Sequence, residues 1–182
     1  MNPSYAQLAV DILENSQVKV AAVANFPLGA SCQEALAAEA AALIAFGVDE
    51  IDLVMNIGAA RSGDWEKVAA GVRALLEPAH EHGLLVKLIL ETCLLTDQEK
   101  HSACLLAKEL QVDFVKTSTG FSSAGASVRD VQLLRSWVGE SMGVKASGGI
   151  ANRQQALALI AAGADRLGTS RGVSIVSEAA VG

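Results

Sequence analysis

Three lysines recur at one structural phase of this chain, each inside or at the end of a strand-like apolar run: Lys87 in LLVKLILET, Lys116 in DFVKTSTG and Lys145 in GVKASGGI. The two intervals between them are equal, so one repeating βα unit sets all three positions. An ammonium group is costly to bury, and three at the same phase of a repeat point to chemistry rather than packing. The pattern reads as an amine-based active site.

The rest of the chain agrees with a βα repeat. Six short apolar runs, approximately 18–24, 50–56, 84–91, 114–118, 144–147 and 166–169, alternate with longer segments of helical period. Glycines that can close the preceding helix stand before four of these runs, at Gly47, Gly83, Gly143 and Gly163. Ser31 with Glu34 and Thr96 with Glu99 have capping-box spacing, and Asp64, Ser127 and Asn152 are expected as N-caps. Half of the composition is hydrophobic and aromatics are scarce, which suits parallel strands buried on both faces under alanine-rich helices. With 182 residues the chain is expected to form a single domain spanning 1–182.

Several function classes are set aside by composition. A net charge of −6 with no basic patch argues against a nucleic-acid partner. Cys32, Cys93 and Cys104 are odd in number, widely spaced and without a CxxC pair, as expected of reduced cytosolic thiols. His80, His82 and His101 complete no zinc spacing and read as surface residues, so no metal is expected. The first residues lack a cationic flank before an apolar core, and no charge-free run is long enough to span a bilayer. The expectation is a cytoplasmic protein with no membrane partner.

Strand periodicity decides which side chains meet, because alternate residues share a face. Asp52, Val54 and Asn56 fall together, as do Lys87, Ile89 and Glu91; Phe114, Lys116 and Ser118; and Lys145 with Ser147. In each strand the opposite face is wholly or mostly apolar: Ile51, Leu53, Met55, Leu88, Leu90, Val115, Val144 and Ala146. Helices cover that face, so the polar set lines an interior, as in a barrel whose working end lies at the C-terminal side of its strands. Asp52 and the three lysines converge there. Gly120, Gly148, Gly149 and Gly168 follow these strands, and backbone amides at such glycines make an anion site. A phosphate is the natural ligand, since a (β/α)8 barrel frequently holds one at the loops after its last two strands.

The segments VDEIDLVMNIGA, LVKLILETCLLTDQEK, VDFVKTSTGFSSAGAS, GVKASGGI and GADRLGTSRG closely resemble the strand-and-loop motifs of the bacterial deoxyribose-phosphate aldolase family. The resemblance runs from about Asn2 to Val176. It implies an α/β fold of the (β/α)8 TIM-barrel type and a class I aldolase without cofactor, cleaving 2-deoxy-D-ribose 5-phosphate to D-glyceraldehyde 3-phosphate and acetaldehyde. By the same resemblance Lys116 is the Schiff-base lysine, Lys145 the second lysine and Asp52 the acid–base group. Lys87, Thr119, Gly120, Gly148, Gly149, Gly168, Thr169 and Ser170 are the substrate-binding set. A homo-oligomer, a dimer by family habit, is implied. Counting back from the phosphate loops makes the first strand here the third of the barrel, so six strands, the third to the eighth, are expected and the first two are lacking.

Physical chemistry makes these roles coherent. A lysine attacks a carbonyl only as the neutral amine, so the reactive group needs a second cation and partial desolvation beside it. Lys145 supplies the cation, and Asp52 moves the proton. Two alternatives accompany this reading. Lys87 and Asp52 could form an ion pair that only holds the barrel. The chain could also be a truncated relative that keeps a phosphate cradle or an interaction surface without turnover, or a Schiff-base aldolase of shifted aldehyde preference.

Overall fold

The structure, a computed structural model, describes residues 1–177. Its six strands are β1 (Ala21–Ala24), β2 (Glu50–Val54), β3 (Leu85–Ile89), β4 (Phe114–Lys116), β5 (Gly143–Ser147) and β6 (Arg166–Gly168). They form one sheet in sequence order, and every neighbouring pair is parallel. The intervening helices are α1 (Ala6–Leu13), α2 (Gln33–Phe46), α3 (Ile57–Arg61), α4 (Trp65–Glu81), α5 (Asp97–Glu109), α6 (Val128–Val138), α7 (Arg153–Ala161) and α8 (Gly172–Ser177).

The sheet is strongly curled. Strands four places apart in a flat sheet would lie roughly 19 Å from one another at the usual spacing, yet Arg166 of β6 lies 2.6 Å from Glu50 of β2. Among the described residues the result is an open half of a (β/α) barrel, with β1 and β6 at its edges. The outer face is the hydrophobic core: Ile51, Leu53, Met55, Leu88, Leu90, Val115, Val144 and Ala146 are all buried beneath the helices, against side chains such as Leu43, Leu75 and Leu134. At about 1.5–3 kcal/mol for each large side chain, this layer fixes which face of every strand turns inward.

All six strands fall where the apolar runs placed them. The caps are realised at Asp64, Ser127 and Asn152, whose side chains accept from Lys67, Asp130 and Gln155 amides. Thr96 and Glu99 form the full capping box. Two expectations fail. Helix α2 starts at Gln33 with Cys32 as its N-cap and no side-chain cap, so the Ser31–Glu34 box does not form. The Ser31 amide instead donates to Asn25 Oδ1 at 2.9 Å, which draws Ser31 into the turn after β1. Gly143 does not close α6; Gly139, at φ 74°, follows that helix. Gly143 opens β5, where a Cβ would lie 2.2 Å from the Phe114 ring.

Candidate active site

Register and curl bring the inward-facing charges together. Lys116 pairs across β4 and β5 with Lys145, while Asp52 pairs across β2 and β3 with Lys87. Curling then carries the first pair onto the second. Lys116 Nζ and Lys145 Nζ each donate to Asp52 Oδ2 at 2.7 Å. Lys87, wholly buried, places its ammonium 3.0 Å from Asp52 Oδ1 and donates to Glu50 Oε2 at 2.5 Å. Arg166 Nη1 donates to both Glu50 oxygens, at 2.8 and 2.6 Å, with its guanidinium over the Phe114 ring. The chain of contacts runs Arg166–Glu50–Lys87–Asp52 and forks to the two amines.

Four cations thus surround two carboxylates. Burial favours the neutral acid at Asp52, but the ammonium groups of Lys116, Lys145 and Lys87 outweigh it and hold its carboxyl well below the usual range. Burial lowers the Lys145 pKa; Asp52 opposes that shift, and the Lys116 and Lys87 charges add to it. A partly buried amine with a lowered pKa therefore shares one carboxylate oxygen with a second amine. That arrangement can shuttle a proton between two nitrogens through Asp52.

Beside the two amines opens a cavity of about 530 Å³ at the C-terminal end of β4, β5 and β6. Its wall includes Lys116, Lys145 and every substrate-binding residue named from the sequence apart from Lys87, together with Arg171. Gly120, Gly148 and Gly149 have φ of 88°, 85° and 75°, a left-handed backbone that glycine adopts without strain. Thr169 Oγ1 donates to the Ile150 carbonyl and accepts from the Arg171 amide. Thr119 likewise has its donors engaged, by Glu91. Lys87 and Asp52 are not on the cavity wall, and Ser122 and Ser123 are exposed outside it.

Sequence reasoning missed Glu50, Arg166, Glu91 and Gly125. Alternation could have found Glu50, two residues before Asp52, and it did place Glu91 on the inner face without giving it a role. Gly125 carried no local signal. A Cβ there would lie 2.2 Å from the Gly148 carbonyl oxygen, a contact that exists only once the β4 and β5 loops are folded together. Among the described residues no group of three His, Cys, Asp or Glu side chains could hold a metal ion, and no helix is long and apolar enough to cross a membrane.

Residues 3–177 match the DeoC/LacD family aldolases. The chain belongs to this family. A deoxyribose-phosphate aldolase from Aciduliprofundum boonei is 51% identical over 176 residues, covering 97% of this chain and 79% of the relative. Among solved structures, QR15, an aldolase, superposes with a TM-score of 0.92 at 36% identity, covering 98% of this chain and 79% of that one. A deoxyribose phosphate aldolase from Aeropyrum pernix, described as having a unique tetrameric structure, gives 0.91 at 32% identity over 99% of this chain and 76% of that one.

Proposed function

We propose that this chain is a class I, Schiff-base lyase that reversibly cleaves 2-deoxy-D-ribose 5-phosphate to D-glyceraldehyde 3-phosphate and acetaldehyde. The observation that carries the reading is the single oxygen, Asp52 Oδ2, held 2.7 Å from two lysine amines beside a glycine-walled cavity. The relatives' activity supports it.

In this reading Lys116, as the neutral amine, attacks the open-chain aldehyde carbon. Its proton has a route to Lys145 over Asp52 Oδ2. Loss of water from the carbinolamine gives an iminium, which draws electrons from the adjacent carbon. Removal of the proton from the substrate's C3 hydroxyl then breaks the C2–C3 bond, releasing glyceraldehyde 3-phosphate and leaving an enamine on Lys116. Protonation of that enamine at C2 and hydrolysis release acetaldehyde and regenerate the amine. Lys87 and Glu50 hold Asp52 in place. The turns at Gly120, Gly148, Gly149 and Gly168, with Thr119, Thr169 and Ser170, form the wall against which the phosphate lies. The chain acts as one (β/α) domain, as a homo-oligomer, in the cytoplasm, on sugar phosphate from deoxyribonucleotide breakdown. The tetrameric Aeropyrum pernix relative supports the oligomer.

The test is an aldehyde-release assay with 2-deoxy-D-ribose 5-phosphate on wild type and Lys116→Leu. Release by wild type and none by the variant is expected. No release from a folded wild type would overturn the assignment.

A further inference from the structure

Glu91 stands out among the groups that the proposed reaction does not use. It lies just beyond β3, is 1% exposed, and has φ 55° and ψ 62°, one of three non-glycine residues with positive φ among those described. A glutamate in the left-handed region carries backbone strain, and a buried carboxylate carries a desolvation cost. Such costs persist where the surroundings over-determine the conformation. Here both neighbours are pinned to the next strand: the Leu90 amide donates to the Lys116 carbonyl and the Thr92 amide to the Thr117 carbonyl, each at 2.9 Å. The residue between them is thereby turned so that its side chain meets the loop after β4.

That side chain serves one residue. The Thr119 amide donates to both Glu91 oxygens at 3.3 Å, and Thr119 Oγ1 also bonds Glu91 Oε2. Thr119 Oγ1 in turn accepts from the Phe121 amide at 3.1 Å. Thr119, Gly120 and Phe121 are the part of the β4 loop that walls the cavity. Lys116 does not depend on this contact, because it is fixed in the sheet through its register with Ile89 and Lys145.

We propose that Glu91 is a positioning residue that sets selectivity for a phosphorylated substrate: it locks the Thr119–Phe121 turn in the shape that receives the phosphate, and leaves the lysine chemistry alone. The inference rests on the reading of this turn as part of a phosphate site. It separates the two halves of the cavity, with β3 controlling the anion end through Glu91 and the amine end through Lys87.

The experiment compares kcat and KM for 2-deoxy-D-ribose 5-phosphate and for unphosphorylated 2-deoxy-D-ribose in wild type and Glu91→Gln. Wild type is expected to prefer the phosphorylated sugar. In the variant an amide replaces an acceptor-only group facing two donors, so KM for the phosphorylated sugar should rise by about tenfold or more, with kcat and the unphosphorylated reaction changed by less than about threefold. An equal loss on both sugars, or no change on either, would overturn the proposal while leaving the aldolase reading intact. A wild type without preference overturns the phosphate reading and the proposal with it. If Glu91→Gln does not fold, Glu91→Asp, whose shorter side chain withdraws the carboxylate from the Thr119 amide and hydroxyl, carries the same expectation and the same refutation.

Discussion

Replacing Asp52 by asparagine keeps the shape and removes the charge on which three amines converge. Lys87 retains Glu50 at 2.5 Å, whereas Asp52 is the only acceptor described for Lys116 and for Lys145. Removing one partner of a buried ion pair costs about 3–5 kcal/mol when the other charge is stranded. For a chain of this length that is roughly 6–20 °C of melting temperature, at roughly 2–4 °C per kcal/mol. The stranded amines can escape by losing protons, so the gap between wild type and Asp52→Asn should narrow as pH rises. On the acid side the sign follows from the depressed Asp52 pKa. Its contribution is complete above the ordinary carboxylate value of about 3.9 and is lost only as pH falls through the lower folded value. The gap therefore persists at pH 5. Turnover should fall by about 10²–10⁴, the usual contribution of a positioned acid–base group. Thermal melts from pH 5 to pH 10, with kcat at pH 7, make the assay. A variant that melts within about 1 °C of wild type at pH 7, against the range expected from a stranded buried charge, would refute the claim that Asp52 holds the amines.

Other consequences are more local. A Cβ on Gly168 would lie 2.9 Å from Ser147 Cβ and 3.3 Å from Lys145 Cε, so Gly168→Ala should displace Lys145 and lower kcat by about tenfold, with about 1–3 kcal/mol lost in denaturant melts. Thr96→Ala removes the capping box of α5 and should cost about 1 kcal/mol of stability in the same melts, with kcat unchanged. Burial pushes the Cys104 thiol up to about 12, whereas Cys32 is exposed. Iodoacetamide at pH 8 should accordingly label Cys32 in the folded protein and Cys104 only after unfolding, as read by peptide mass.

Much of this architecture was legible in the sequence because parallel strands buried on one face and charged on the other are rare enough to read residue by residue. Alternation placed Asp52, Lys87, Lys116 and Lys145 on one inner surface, and the structure brings their charged ends within 3.0 Å contacts of a single carboxylate. Lys87 does pair with Asp52, and it shares that carboxylate with Lys116 and Lys145 in one connected network that has Glu50 and Arg166 as its outer members. Glu50 lay within reach of alternation, but its meeting with Arg166 depends on curl, which brings β6 across to β2 and leaves no trace in local spacing. The resemblance places Thr119 in the substrate-binding set without naming a partner for it. Its engagement by Glu91 follows from a left-handed turn that nothing in LILET announces, since glutamate has no preference for that conformation. The missed cap at Ser31 has a similar origin: Asn25, itself at φ 56°, captures the Ser31 amide from six residues away.

The central claim is that Lys116 forms the imine. The most direct measurement is borohydride trapping with 2-deoxy-D-ribose 5-phosphate, read by intact mass and peptide mapping, in wild type and Lys145→Met. A reduced adduct on the Lys116 peptide in both proteins, formed more slowly in the variant, is the predicted result. An adduct on Lys145 in wild type, or none on a folded protein, would contradict it.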